Sequence, residues 1–267
     1  FLFIAAALLM FAVPAANAQK VNTANELKKL EKVDVAIADA KKNVKAATWI
    51  AHGKAYIDAY ILPTKELGRG VPEQMLMMNV GRPEGAFESQ FAGYPAIVYS
   101  YEYVDVYVVN GMIEGWDQKK AIKEDLAKTA IASLTKAYEM DPKQESKIAS
   151  IAMNLANALS QQGDALNDMG RLAEAAECFE LAYRAQSVVP STKADGNNLF
   201  NAGMLMTMTA STLQGEEALV AFEKAEKLFS EAINNGYSDE QGNIYYYLFH
   251  CYYGQKAKNN EEYLAKS

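Results

Sequence analysis

Residues 163–183, GDALNDMGRLAEAAECFELAY, place small and large side chains at intervals that strongly restrict what the chain can become. Gly163 and Leu166 stand three apart, Gly170-Arg171 makes a turn, and Ala175, Phe179 and Ala182 follow at spacings of four and three. Those spacings put the last three on one helix face. Small residues where two helices would cross, with a large ring a turn away, describe a helix–turn–helix unit that buries its apolar face against a neighbour. If the unit recurs every 20 to 50 residues or so, the repeat decides the architecture before any motif does.

The unit resembles the tetratricopeptide repeat, a helix–turn–helix of about 34 residues. A second copy begins at Trp49, Gly53 and Tyr56, spaced as in the family's first helix, and its second helix comes only at Ala130, Leu134 and Ala137, closed by Asp141-Pro142. Another pairs Leu199–Met208 with Ala225, Phe229 and Ala232 across extra residues around Leu213 to Glu217, and the last offers a first helix at Tyr245–Tyr253. In this copy Phe249 replaces the family's Gly, with Tyr245, Phe249 and Tyr252 as the packing stripe. Asn260 to Ser267 look like the opening of the following helix. Leu27 to Val44 form one amphipathic pattern able to cover the first repeat, as solenoids require of their ends. The expected fold is mostly α: a right-handed α-solenoid of such helix hairpins, with a small α+β insert in the first repeat. Gly53, Gly163, Gly203, Ala130, Ala175 and Ala225 would let paired helices approach, while Trp49, Phe179, Phe229 and Tyr245 fill the space between pairs. On that footing Trp49→Ala would cost about 3–5 kcal/mol.

The insert is expected at about residues 63–116, where Gly and Pro cluster and the pattern turns strand-like. Val71 to Val80 predict a short helix ended by Gly81-Arg82-Pro83. Ile97–Tyr101, Tyr103–Val109 and Met112–Trp116 predict a β-meander with a hairpin at Asn110-Gly111. Over that one short motif, the order of elements resembles the small lipoproteins of the outer-membrane assembly machinery. The organisation expected is a signal peptide at 1–18, a capping helix within 19–45, a first repeat at 46–142 holding the insert, and further repeats over 143–267.

The leader reading rests on the apolar run Phe1 to Val13, Pro14, and the small-x-small Ala16-Asn17-Ala18 before Gln19. The run falls short of the ~20 residues that span a bilayer. No later run approaches that length, and no Cys at the cleavage point offers lipid attachment. A periplasmic or secreted protein without a membrane span is expected. With 33 acidic against 26 basic residues and a net charge of −7, the chain lacks a nucleic-acid footprint. Cys178 and Cys251 fall in non-adjacent repeats and are expected to be small buried hydrophobes rather than a disulfide.

Chemistry-bearing motifs are few. His52 and His250 are the only histidines, so several-His metal sites are excluded and a Ser/His/Asp triad has two candidates at most. His52, beside Gly53, reads as a packed imidazole. Gly68-Arg69-Gly70 and Gly81-Arg82-Pro83 lack phosphate-loop spacing. Neighbouring acids such as Asp105 and Glu114, or Glu73, Glu84 and Glu88, are expected by chance in so acidic a chain. No cofactor, metal or catalytic residue is expected.

What remains is surface. The resemblance implies a concave groove lined by first helices: Ile50, Lys54 and Ile57, then Asn157, Ser160, Asp164 and Asn167, then Phe200, Met204 and Thr207, then Tyr246, His250 and Tyr253. Tyr246 and Tyr253 lie seven apart on one stripe, a placement suited to recognition because the ring is rigid and its hydroxyl meets polar partners. The leading expectation is a non-enzymatic scaffold holding a protein or peptide partner. Alternatives are a glycan-binding or outer-membrane assembly component and an enzyme with a site in the insert.

Overall fold

A computed structural model describes residues 21–256; the leader at 1–18 and the helix opening at 260–267 lie outside the described residues. Over the described residues the chain is mostly helical, with one four-stranded antiparallel sheet. In order come α1 (Thr23–Ala38), α2 (Ala46–Ile61), α3 (Glu73–Asn79), β1 (Gly85–Phe91), β2 (Tyr94–Ser100), β3 (Val104–Val109), β4 (Met112–Gln118), α4 (Leu126–Met140), α5 (Glu145–Asp168), α6 (Leu172–Gln186), α7 (Gly196–Thr212), α8 (Gly215–Asn234) and α9 (Asn243–Gln255).

Helices pack as α2 with α4, α5 with α6 and α7 with α8, and α6 with α7 and α8 with α9 join them. Glycine decides how near each pair comes. A Cβ on Gly53 would lie 2.9 Å from the Leu134 side chain, one on Gly163 3.1 Å from the Phe179 ring, and one on Gly203 2.6 Å from the Phe229 ring. The large residue of each second helix therefore fills the glycine notch of its own partner, and Phe229 also stacks on Tyr247 of α9, across to the next helix. The flanking Ala130/Ala137, Ala175/Ala182 and Ala225/Ala232 are all fully buried, since any larger side chain would push the helices apart. α5 and α8 end alike, on a glycine in the left-handed region (Gly170, φ 75°; Gly236, φ 84°) followed by a backbone bond back to the last turn, Arg171 N–H to Leu166 O and Tyr237 N–H to Ala232 O, each 2.9 Å.

Several expectations need correction. The capping helix stops at Ala38 and the chain turns through 39–45 instead of continuing to Val44. The extra residues before the second helix of the third copy are not a loop: only Leu213 and Gln214 connect α7 to α8, and Glu216 and Glu217 form the first turn of α8. Trp49 is half-buried, its indole N–H donating to the Asn43 carbonyl at 2.8 Å. Truncating it is accordingly expected to cost about 1–3 kcal/mol, less than full burial would imply; urea unfolding of Trp49→Ala measures this. Cys178 and Cys251 are free thiols, burial pushing Cys178 up to about 12 and Cys251 to about 11.

Between α2 and α4 lie α3 and the sheet, in the order β1-β2-β3-β4. β1 adds a strand to the expected meander. It is joined to β2 by Ala92-Gly93, whose φ values of 50° and 81° match those of Asn110-Gly111 (51° and 78°) between β3 and β4, the mirror-image turn that suits twisted hairpins. Leu76 of α3 closes one sheet face in a core with Val104, Val106, Val108, Ile113 and Trp116. The other face rests on α5, where Gly115 leaves room for the Phe91 ring beside Ala165. Arg171, at the start of α6, bridges Asp117 of β4 and Glu174, and Arg69 reaches Asp168 of α5 at 2.6 Å.

Candidate functional site

The groove positions divide sharply. Ile50 and Ile57 are buried, at 3% and 2% exposed, in the core that α2 shares with its neighbouring helices, so the α2 face expected to be open is closed. Thr207 is buried as well, its hydroxyl donating to the Gly203 carbonyl at 2.9 Å with the Cys251 sulfur 3.4 Å away. Phe200 stacks on Tyr237 at 5.3 Å and meets Phe229 and Tyr247, while Met204 packs against the same core. α9 docks on this side of α7, so Phe200, Met204 and Thr207 hold helices together instead of lining a groove. Lys54 is exposed and paired with Asp58 at 2.5 Å. Asn157, Asp164 and Asn167 are exposed on α5 and Ser160 is half-buried. Crowding by surrounding protein raises the Asp164 carboxyl above its ordinary range, with Arg69 opposing and Asp168 adding.

Tyr246 and Tyr253 do face solvent, with His250 half-buried between them. The packing stripe of α9 differs from the expected one: Ile244, Cys251 and Gln255 are buried, and Tyr247 and Leu248 pack on the same core. Tyr245 at 61%, Tyr246 at 60%, Tyr253 at 49% and Phe249 at 41% are consequently all exposed. The close-packing glycine of this helix is Gly254, where a Cβ would lie 2.4 Å from the Phe222 ring of α8. Asp239 sets the start of α9 by accepting from the Asn243 and Ile244 amides at 2.7 and 3.1 Å. The exposed rings touch one another: Tyr246 lies edge-on to His250 at 4.5 Å, Phe249 stacks with Tyr253 at 6.1 Å, and the Lys256 ammonium sits 3.6 Å from the centre of the Tyr253 ring. That cation holds the Tyr253 hydroxyl below its ordinary value. The result is a ready-made aromatic contact surface with polar tips.

His52 anchors a second constellation. Its Nε2 lies 3.0 Å from Asp34 Oδ1 and its Nδ1 2.7 Å from the Ser133 hydroxyl. Because the carboxylate only accepts, this pairing assigns the proton to Nε2. Tyr56 donates to Asp34 at 2.7 Å, and Lys123 donates to Asp34 at 2.9 Å and to the Tyr56 oxygen at 2.5 Å. The order Ser, His, Asp has the form of a nucleophile relay, but both Ser133 and His52 are only 2% exposed. Its geometry ties α1, α2 and α4 together and offers the hydroxyl to no substrate.

Two hollows border the insert. One of about 270 Å³ has apolar walls including Leu62, Pro63 and Val104, with Glu66, Arg82 and Glu102 among its polar groups. Another of about 370 Å³ lies where Tyr60, Lys128, Gln162 and Glu177 converge. Among the described residues no group of three or more His, Cys, Asp or Glu could hold a metal ion, and no helix is long and apolar enough to cross a membrane. Comparison with models of known families, with curated proteins and with solved structures finds no match to this chain.

Proposed function

We propose that this protein is a non-enzymatic scaffold of the tetratricopeptide kind, a right-handed α-solenoid of helix hairpins in the bacterial cell envelope that binds a protein or peptide partner. The observation that carries the reading is the α9 surface, where four exposed aromatic side chains surround a half-buried histidine instead of packing inward. The thrice-used glycine notch, Gly53 with Leu134, Gly163 with Phe179 and Gly203 with Phe229, supports the repeat assignment. Binding is centred on α9, since the third-copy positions serve packing. Stacked rings with hydroxyl tips also suit sugar faces, which keeps a glycan partner as the second reading.

The test compares the native chain with Tyr246→Ala/Tyr253→Ala in capture from fractionated cell envelope, read by mass spectrometry. Both positions are exposed, so the double variant is expected to melt like the parent, within about 0.5 kcal/mol, while losing a protein that the native chain retains. Retention of the same proteins by both forms refutes the α9 site. Retardation of the native chain alone on polysaccharide gels, with no protein lost, moves the assignment to glycan.

A further inference from the structure

β1 forms one outer edge of the sheet, and the other edge, β4, is paired at its start. Gly70 donates to Ile113 O at 2.7 Å, Ile113 N–H to Val71 O at 2.8 Å, and Glu73 N–H to Gly111 O at 2.9 Å, so residues 70–73 cover the first residues of β4. Along β1, Gly85 to Gln90 are exposed without interruption. Phe91 and Tyr94 close the two-residue turn and exchange both backbone bonds. Alternation then turns Phe87 and Ser89 toward β2 and leaves the N–H and C=O groups of Ala86, Glu88 and Gln90 pointing outward. Natural edges are usually protected by Lys, Pro or a bulge, and β1 carries neither Lys nor Pro.

Charge says what belongs there. Residues 85–118 contain no Lys, Arg or His. Each of the other acids in this stretch is matched by a base from outside it: Glu102 by Lys120 at 2.9 Å, Asp105 by Lys119 at 3.0 Å, Glu114 by Arg69 at 3.9 Å, and Asp117 by Arg171. Glu88 alone has no ion-pair partner among the described residues, and it sits at the centre of the unpaired edge. Its sheet face carries the exposed Ile97, directly across the ladder, while Phe87, half-exposed, shares the opposite face with Val98.

We propose that β1 receives an extended polypeptide segment by strand addition, with a basic side chain opposite Glu88 flanked by apolar side chains that meet Phe87 on the other face. Backbone pairing supplies affinity and the alternate side chains supply selection. A second copy of this chain is the poorer occupant, because it would bring another base-free, acidic strand to the same edge. The surface is separate from α9, and its test leaves α9 untouched.

The experiment titrates the isotope-labelled full chain with the peptide Ac-Thr-Thr-Val-Lys-Val-Thr-Thr-NH2 and with its counterpart carrying Glu for Lys, following backbone amides by NMR. The Lys peptide is expected to shift and protect the amides of Ala86, Glu88 and Gln90 and to bind more tightly than the Glu peptide. In Glu88→Lys the preference reverses, with the Lys peptide weakened roughly five- to tenfold. Gln90→Pro removes one outward donor without touching the ladder to β2 and weakens both peptides alike. Should either variant fail to fold, the two peptides on the native chain still decide. Equal response to both peptides, or unmoved β1 amides at millimolar Lys peptide, overturns the proposal. So does concentration-dependent self-association abolished by Gln90→Pro, which assigns the edge to a second copy.

Discussion

Phe229→Ala is expected to lower stability by about 3–5 kcal/mol and the melting temperature by roughly 10 °C. The ring is fully buried, fills the notch at Gly203, and touches Phe200 and Tyr247 as well. Deleting it removes the transfer free energy of the side chain and leaves a cavity that three helices cannot collapse. Gly203→Leu alone should also destabilise, by about 1–3 kcal/mol, because its Cβ would lie 2.6 Å from the ring. In combination the two changes exchange large for small across one contact, and the double variant is expected to recover part of the loss. Simple additivity in urea unfolding would show that the notch and the ring do not act as a pair.

Acid is expected to weaken the attachment of α1 in two stages. Burial lowers the His52 imidazole below its ordinary 6.5, against the opposing pull of Asp34. Between 6.5 and the lowered folded value the unfolded chain binds a proton that the buried ring resists, so stability falls as pH drops through that window. Burial would raise the Asp34 carboxyl, but hydrogen bonds from Tyr56, Lys123 and His52 outweigh it and hold the group below its ordinary 3.8. Its contribution is present above 3.8 and is lost as pH falls through the folded value. His52→Gln keeps a donor for Asp34 without a titrating ring. It is expected to cost about 1–2 kcal/mol at neutral pH and to flatten the first stage while sparing the second. Trp49 lies 6.2 Å edge-on from His52, so its fluorescence reports the change. A variant that keeps the full acid limb would place the titrating group elsewhere.

The parts legible in the sequence were those set by short-range spacing. Ala175, Phe179 and Ala182 read as one face because their intervals are helical, and Asn110-Gly111 read as a hairpin because few dipeptides accept two positive φ values. Phase was harder. α9 has aromatic residues on nearly every side (Tyr245, Tyr246, Tyr247, Phe249, Tyr252, Tyr253), so periodicity could not tell which stripe packs, and the inward stripe proved to be Ile244, Tyr247, Leu248 and Cys251. Ile50 and Ile57 are buried although the resemblance puts them on an open face, because the spacing within α2 does not say which neighbouring helices close over each side. β1 escaped notice because Gly85–Phe91 lacks β-branched residues, although Phe87, Ser89 and Phe91 alternate ahead of Ala92-Gly93. The His52 cluster joins residues from Asp34 to Ser133, and no local pattern announces a contact of that range. The unmatched charge on Glu88 was likewise invisible until the partners of the other acids were known.

The placement of the sheet between α2 and α4 bears on how the chain finds its fold. α5 and α6, or α7 and α8, meet across connections of a few residues, whereas α2 must wait for α4 across residues 62–125. Closing so long a detour costs about 2–3 kcal/mol more in chain entropy than the turn at 169–171, by the logarithmic growth of loop closure. The carboxy-terminal pairs therefore have the shorter search, and the amino-terminal pair is expected to assemble last. Refolding should thus proceed from the carboxy-terminal half toward the amino terminus, opposite to the order in which a ribosome releases the chain.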